Sequence, residues 1–535
     1  MATTPTLEPA KGQPIEHAER VHISDKLDPG AVKTGARNVA LAEALALENA
    51  RPFRKSFIKL YMCLFVAYMC SSTNGFDANT FGGLSAEPNF AKFFNLTPAN
   101  NGAVVVLYVV GQLTACLFAG QLSDMFGRRF GMALGALICV IGAVVQAASQ
   151  SRPDLMGGRY ILGLGSVICN ASGPAYVVEM AYPKYRGFQT GLYQAMFFCG
   201  TITTTWLEYG LSYLPADSAL AWRLPLAMQA VPSLILLACV YFIPETPRWW
   251  MSRDRADKAK KILVKYHGDG NENSAIVALE MQEMLLVVSK TGSDKRWWDF
   301  RDLFNTPGAR YRTLLVVAVA WFSEIELPPT SYYLPLMVGI TSVKTKLLLN
   351  ALQTPIMMIA SLSGLCLIDR FNRRTLLMIG STLMTCSMAI ITACTAEHAV
   401  SKAVSGTGIA FLYIFLVAFA FCWVPNQALY PSEVLAYNTR AKGLAFYNLF
   451  RSIVLIINTY VPPIAIANVS WRFYIFYIVF DALGILVVYL IFVETRGWSL
   501  EEIEAIFNSK NPKKASLAKH TADVFEDTTP VVGRA

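Results

Sequence analysis

Long apolar stretches separated by short charged turns recur along the whole chain. Twelve of them approach the about 20 residues with which a helix crosses a ~30 Å hydrocarbon core. Because every backbone amide inside lipid must be paired within the protein, blocks of this length predict an all-α integral membrane bundle and not a barrel. The predicted spans, numbered first to twelfth below, lie near 57–76, 102–122, 130–149, 156–178, 189–211, 224–243, 314–338, 347–368, 375–396, 406–429, 443–466 and 472–493.

The composition supports this prediction. Hydrophobic residues make up 54% of the 535 positions and charged residues only 16%, too apolar for a soluble protein with a charged surface. The polar residues 1–50 precede the first span, so we expect no cleavable signal sequence. We expect these residues and 510–535 to be mostly disordered.

Basic residues are concentrated in alternate turns, such as Arg128 and Arg129 between the second and third spans. By the positive-inside rule these turns are cytoplasmic, which places both termini in the cytoplasm. The opposite turns carry few basic residues and hold two glycosylation triplets, at Asn95 and Asn468. The net charge of +9 therefore reflects membrane topology and predicts no nucleic-acid partner. We expect a multi-pass protein of the plasma membrane.

Charged residues recur in the same order in the two halves of the chain, which indicates an internal repeat. Asp124 recurs as Asp369, Glu179 as Glu433, and Glu245 as Glu494. Two parallel six-helix halves follow, with a binding site expected between them near the bilayer midplane. The predicted organisation is a tail at 1–56, a first half at 57–243, a central loop with short helices at 244–313, a second half at 314–493 and a tail at 494–535.

The turn after the second span reads Gly120-Gln-Leu-Ser-Asp124-Met-Phe-Gly127-Arg128-Arg129, and here the chain resembles the major facilitator superfamily. A second copy runs from Asp369 to Arg374, with Asn372 in place of Gly127; we expect Asn372 to adopt the left-handed conformation that Asn tolerates. Further repeated motifs make the chain similar to the sugar porters of that superfamily, and closest to their yeast-type lactose permease and hexose transporter branch. They are Pro174-x-Tyr176-x-x-Glu179 with Arg186, Tyr430-Pro-Ser-Glu433 with Arg440, Pro244-Glu245-Thr246 and Val493-Glu494-Thr495.

The resemblance implies cytoplasmic charge networks that gate the transporter; the alternative is ordinary surface ion pairing, worth less than ~1 kcal/mol per pair. The gating residues it implies are Asp124, Arg128, Arg129, Glu179, Arg186, Glu245, Asp369, Arg373, Glu433 and Arg440. It also matches Asp77 to a proton-binding aspartate and Arg159 to the partner of that aspartate. Protonation of Asp77 is then expected to release Arg159.

Sugar sites need aromatic rings and amide groups, because hydroxyl-rich ligands present both hydrogen-bonding groups and apolar ring faces. The resemblance matches Gln194, Trp423 and the pair Tyr332 and Tyr333 to such residues, while packing between helices is the alternative for each one. The side chains that could add hydrogen bonds are those of Asn426, Gln427 and Asn458.

The seventh span departs from the family pattern, because the Gln and Asn that this branch keeps are absent and the segment carries Glu324 and Glu326. Two carboxylates two residues apart point in different directions on a helix, so at most one should face a central cavity unless Pro328 and Pro329 unwind the helix. Arg451, well inside the eleventh span, is costly without a partner and is expected to pair with one of them. Such a pair is either structural or part of a site for a charged ligand.

The sequence therefore predicts a secondary transporter for a small molecule, monomeric, with no enzymatic activity, cofactor or metal. The first hypothesis is proton-coupled uptake of a sugar or sugar-like polyol by alternating access. The alternative is export or import of another polar or acidic metabolite, such as a secondary metabolite. A sensor that binds without transporting is the third, disfavoured by the short segment after the last span.

Overall fold

A computed structural model describes residues 54–85, 87–215, 218–291, 300–326, 342–396, 402–436, 439–496, 498, 500–509 and 511–517. These residues form helices and turns without any strand. A helix occurs at each of the twelve predicted spans, the seventh being described as far as Glu326. The helices of the first six are Lys55–Leu84, Pro98–Cys116 with Ala119–Phe126, Arg128–Ala148, Arg152–Met180, Arg186–Leu211, and Leu220–Met228 with Ala230–Val240.

The last six spans follow the same plan. Their helices are Pro307–Glu326, Val343–Leu367, Arg373–Ala396, Lys402–Ala418 continued by Phe419–Trp423 and Val424–Val434, Arg440–Val469, and Phe473–Ile491. Among the described residues nine helices are long and apolar enough to cross a membrane, and a bent pair in the second span, with a 49° angle, makes a tenth. The helices at the fifth and seventh spans are not among these ten. The fifth is rich in hydroxyls and carries Glu208, and the seventh is described only in part. The bundle is the all-α membrane fold that the sequence predicts.

The two halves meet along two pairs of spans. The second span packs against the eleventh, and the fifth packs against the eighth. In the second pair the hydroxyls of Thr205 and Thr354 lie 3.1 Å apart and are fully buried. A Cβ placed on Gly191 would lie 2.3 Å from the Leu365 side chain, so the helices are close along most of their length. Any movement of one half against the other must act on these two seams.

The central loop contains three short helices, Pro247–Met251, Ala256–Tyr266 and Ala275–Thr291. The second is amphipathic, because Ala259, Leu263 and Tyr266 are buried on one side and its lysines lie on the other. Short helices were expected in the central loop at 244–313, and these three lie within it. After the last span come helices Leu500–Asn508 and Pro512–Leu517.

The prediction of disorder from residue 510 onward is wrong for 512–517. The hydroxyl of Ser516 accepts a hydrogen bond from the Glu494 amide at 3.2 Å, which holds this helix against the end of the twelfth span. A polar, lysine-rich composition did not reveal that contact. Residues 518–535 and 1–53 lie outside the described residues.

His267 anchors the central loop to the fourth and fifth spans. Its side chain is buried, Nδ1 lies 2.6 Å from the Glu280 carboxylate, and Nε2 lies 3.1 Å from the Met180 carbonyl oxygen. Both ring nitrogens thus face acceptors, an arrangement that suits the doubly protonated ring. Burial lowers the pKa of His267, but the charge and hydrogen bond of Glu280 outweigh it, so the pKa is raised above 6.5. Glu280 also contacts Arg186 at 3.6 Å.

The raised pKa predicts a loop attachment that weakens with increasing pH. Its contribution to stability is complete below pH 6.5, the ordinary pKa, and is lost as pH rises through the higher pKa of the folded protein. Limited proteolysis of the purified protein should cut the 244–313 loop faster at alkaline pH. His267→Gln, which cannot become charged, should be cut fast at every pH. A parent-like pH profile in that variant would contradict the prediction.

Candidate functional site

The charged turns of the first half form one connected network. The Arg128 guanidinium pairs with Asp124 at 2.7 Å and with Glu179 at 3.1 Å. The Glu245 carboxylate accepts hydrogen bonds from the backbone amides of Arg128 and Arg129, both at 3.1 Å. These amides are at the start of the third span, where they have no hydrogen-bond partner within the helix. Glu245 accepts from them and also lies next to the partial positive charge of that helix end. The network joins spans two, three, four and six.

Gly127 makes the Glu245 contact possible. Its φ is +105°, a conformation that side chains rarely adopt, and a Cβ there would lie 2.4 Å from the Glu245 carboxylate. The second copy of the motif is built differently, because Asn372 is not among the described residues with positive φ. The expectation of a left-handed Asn372 is therefore wrong. Its side-chain oxygen instead accepts a hydrogen bond from Arg496 at 3.2 Å.

Apart from this turn, the second half repeats the network. Arg373 pairs with Glu433 at 3.2 Å, and the Glu494 carboxylate accepts from the amides of Arg373 and Arg374 at 2.9 and 3.1 Å. Glu494 thus does for the ninth span what Glu245 does for the third. The side chain of Asp369 lies outside the described residues.

Two of the implied gating arginines make other contacts. Arg186 pairs with Glu280 of the central loop, and Arg440 donates to the Leu435 carbonyl oxygen at 3.5 Å. The Arg129 side chain makes its contact within the first half, where it donates to the Tyr241 carbonyl oxygen at 2.6 Å. The charged networks therefore lie at the end of the bundle where the basic turns cluster.

Asp77 and Arg159 lie together inside the first half, and both are fully buried. Arg159 donates to the Asp77 backbone carbonyl at 3.4 Å, and its guanidinium lies 4.1 Å from the ring centre of Phe81 and 4.7 Å from that of Tyr108. The two rings and the carbonyl contact the cation directly and stabilise its charge. The Asp77 carboxyl oxygens have no hydrogen-bond partner among the described residues. An ionised carboxylate is costly in such surroundings.

A second ionic group joins the seventh, eleventh and twelfth spans. Arg451 Nε donates to the Glu324 carboxylate at 2.5 Å. The Asn458 amide donates to the Glu324 backbone carbonyl, and its oxygen accepts from the Tyr477 hydroxyl at 3.0 Å. The expected pairing of Arg451 is thus confirmed for Glu324, which is 2% exposed. The side chain of Glu326 lies outside the described residues.

Arg451 points toward the interior of the bundle. The exposed apolar face of the eleventh span consists of Ile453, Ile457, Tyr460 and Val461. At about 100° per residue, Arg451 lies on the opposite side of this helix, between buried Asn458 and the seam with the second span. There it lies beside Cys116 of that span. Its side chain is 44% exposed, so part of the guanidinium faces the space between the halves.

The predicted sugar-binding side chains that the structure describes differ in exposure and in their partners. Gln194 has an exposed side chain one turn from the seam residue Gly191. Trp423 is fully buried and donates its indole hydrogen to Ser381 of the ninth span at 3.1 Å, away from the halves' interface. That donor was expected to serve a ligand, but the π-helical turn Phe419–Trp423 directs it to a neighbouring helix.

The other residues predicted to bind sugar differ in burial. Asn426 is buried and donates to the Cys422 carbonyl oxygen at 2.7 Å, while its own oxygen has no partner among the described residues. Gln427 is half-buried. Tyr332 and Tyr333 lie outside the described residues.

Two buried acids were not singled out from the sequence. Glu208 in the fifth span is 4% exposed and Asp481 in the twelfth is 1% exposed. The carboxyl oxygens of both have no hydrogen-bond partner within the described part of the chain. A search of each apolar block for ionisable residues would have found them, since such residues are rare and functional inside membranes.

In the described chain, helices at all twelve predicted spans, two repeated halves, charged turns at one end and buried ionic groups within each half define a multi-pass membrane transporter of the major facilitator fold. Solved structures of the Escherichia coli xylose transporter XylE share this fold. The inward-open form has a TM-score of 0.71 and 21% identity and covers 84% of this chain and 99% of that chain. The proton:xylose symporter bound to a bromodeoxyglucose has a TM-score of 0.69 and 22% identity over 84% and 99%.

The model of the family described as "Sugar (and other) transporter" matches residues 63–507. The chain belongs to this family and is a transporter of small molecules, not an enzyme. Similar relatives include the MFS-type transporter criB of Aspergillus cristatus, 26% identical over 83% of this chain and 93% of the relative. A high-affinity glucose transporter of Kluyveromyces lactis is 28% identical, over 85% and 86%. A quinate permease of Neurospora africana is 26% identical, over 88% and 93%.

The pairing of Arg451 with a fully buried glutamate predicts asymmetric effects of mutation. Arg451→Gln leaves the Glu324 carboxylate buried without its charge partner and should destabilise the protein by roughly 3–5 kcal/mol. Glu324→Gln leaves a half-exposed cation and should cost less. The double variant should recover much of the loss. Thermal unfolding in detergent measures all four proteins as a double-mutant cycle, and additive effects would contradict direct pairing.

Proposed function

We propose that the protein is a proton-coupled importer of a sugar or sugar-like polyol that works by alternating access. Asp77 carries the proton, and Arg159 responds to its charge. The buried Asp77 carboxyl beside Arg159 supports this proposal more than any other observation, because a carboxyl in such surroundings favours its protonated form while the arginine stays charged against its aromatic rings. The relative named as a high-affinity glucose transporter and the proton:xylose symporter support the substrate class and the coupling.

The cycle uses the charged networks as a latch. Arg128 with Glu179 and Arg373 with Glu433 hold the cytoplasmic ends in one conformation, and the alternate conformation redistributes these pairs. Gln194 and Arg451, the polar groups that face the space between the halves, contact the substrate, and buried Glu324 holds Arg451 in place.

The proposal includes the location and organisation of the protein. The protein is a monomer in the plasma membrane, both termini are cytoplasmic, and the turns that contain Asn95 and Asn468 are outside and glycosylated. The halves 57–243 and 314–493 move as units joined by the 244–313 loop.

Asp77→Asn should abolish accumulation of substrate, because the variant cannot exchange a proton. Substrate exchange across the membrane should persist, since binding and helix movement remain. Proteoliposomes with an imposed pH gradient measure both activities, and an uncoupler should remove accumulation by the parent protein. Asp254→Asn is a matched control, since Asp254 is an exposed loop residue with a φ of +56°, which Asn tolerates. Accumulation by Asp77→Asn would refute the coupling role.

One observation favours a second candidate function, transport of a hydroxylated carboxylic acid. Arg451 places a guanidinium in the space between the halves with only Nε bonded to Glu324 among the described residues. A planar guanidinium binds carboxylates through two parallel hydrogen bonds. The relative named as a quinate permease is consistent with such a cargo.

A substrate panel separates these functions. Purified protein in proteoliposomes is tested with glucose, a cyclic polyol and a polyol of the same ring that carries a carboxylate, with and without a pH gradient. If the protein carries the acid, the double variant Glu324→Gln/Arg451→Gln should raise KM for the acid about 10- to 100-fold. This is the effect of losing one charged hydrogen bond, which is worth ~1.5–3 kcal/mol. KM for a neutral polyol should then change little. Transport of neutral compounds alone would exclude the acid function.

A further inference from the structure

Glu208 is a buried acid that the proposed cycle does not use. It lies in the last turn of the fifth span, at the end of the bundle opposite the charged turns, which the proposed orientation places outside. Its side chain is 4% exposed, and neither carboxyl oxygen has a hydrogen-bond partner within the described residues. A polar side chain buried in this way inside a membrane is costly unless it is neutral.

The carboxyl is packed against the first span. A Cβ on Gly83 would lie 1.9 Å from Glu208 Oε2, so the acid fills the space that this glycine leaves. One turn deeper, the Thr204 hydroxyl donates to the Phe76 carbonyl oxygen at 3.5 Å. The first and fifth spans are therefore closely packed around Glu208, without room for the solvation shell of a charge.

The charged groups on the neighbouring spans interact with other partners. Arg159 lies between Phe81 and Tyr108, Arg223 lies over Trp222, and Lys344 lies over Tyr213. Within the described chain none of them forms an ion pair with Glu208. The titratable and charged side chains on the spans packed against the fifth, at this end, are Asp77, Arg152, Asp154, Arg159, Tyr160, Arg223, Lys344 and Lys346.

Glu208 also adjoins a seam between the halves. Thr205, one turn earlier, contacts Thr354 of the eighth span, and both are almost completely buried. When the halves separate at this end, the fifth and eighth spans must part and water must reach this region. The environment of Glu208 therefore differs between the closed and open states.

We propose that Glu208 is a second proton-binding site, which must be protonated for the fifth span to close against the first and eighth spans at this end. Opening hydrates the carboxyl, which then releases its proton to the outer solution. External acid thus favours the closed state. The proposal requires neither a substrate nor proton binding at Asp77, so it stands or falls separately from the proposed coupling.

A cysteine at position 354 reports the closure. In Thr354→Cys the thiol is buried when the seam is closed and reacts with a membrane-impermeant maleimide from outside when it opens. Labelling of intact cells should speed up as external pH rises from about 5 to about 8, by at most about tenfold per pH unit for one proton. In Thr354→Cys/Glu208→Gln it should be slow throughout, because Gln stays buried without charge. The thiol also becomes more reactive as pH rises. Dividing the labelling rate of Thr354→Cys by that of Thr354→Cys/Glu208→Gln at each pH removes this effect.

Asp481→Asn is the matched control, since Asp481 is equally buried but packs in the second half against the ninth span. It should keep the pH dependence of the parent. The same dependence in Glu208→Gln would overturn the proposal. If Glu208→Gln does not reach the cell surface, the proposal is tested with Gly83→Ala in the same labelling assay. It displaces the carboxyl and should label fast at both pH values, whereas pH-dependent labelling like that of the parent would refute the site.

Discussion

A charge inside the hydrocarbon layer must be neutralised by a partner, by water or by a proton, and the arrangement of polar groups in this protein follows from that requirement. Most of its charges lie in the turns, where carboxylates and guanidinium groups pair at the ends of helices. Those that remain within the spans occur at a few positions. Asp77 lies with Arg159 in the first half, and Glu324 lies with Arg451 in the second. In the proposed cycle, movement of the halves changes the protonation state or the partner of such groups.

The same requirement explains the duplicated turns. Each carboxylate that follows the sixth or twelfth span accepts the first amides of another span, the third for Glu245 and the ninth for Glu494. A helix begins with unpaired amides and a partial positive charge, and one glutamate satisfies both. The distant helices of each half are thereby tied at one end. A half held in this way can move as one body, which makes the seams between the halves the natural place for conformational change.

The helices and the charged turns could be predicted because their signals are local or repeated. The apolar blocks define the spans, and the paired motifs identify the turns. Side-chain direction was the part that could not be predicted. The π-helical turn before Val424 rotates Trp423 toward Ser381, and no spacing in the sequence indicates that rotation. The sequence also left open which glutamate pairs with Arg451. Glu324 and Glu326 are only two residues apart on one helix, so the pairing depends on the direction in which each side chain points. Gly83 and Glu208 are far apart in sequence, so their contact has no local signal.

The Arg451 and Glu324 pair also constrains what can be carried. As a whole the pair is electrically neutral, so a sugar or polyol can bond to the guanidinium without leaving a net charge at the midplane. An anionic acid would add one negative charge, which must be neutralised before the halves close over it. A proton that enters with the acid removes that charge, and a buried carboxyl such as Asp77 is suited to carry it. In the proposed cycle, neutral and acidic cargo therefore place different demands on this site. The proton supplies energy for the transport of a neutral cargo, and it balances the charge of an acidic cargo.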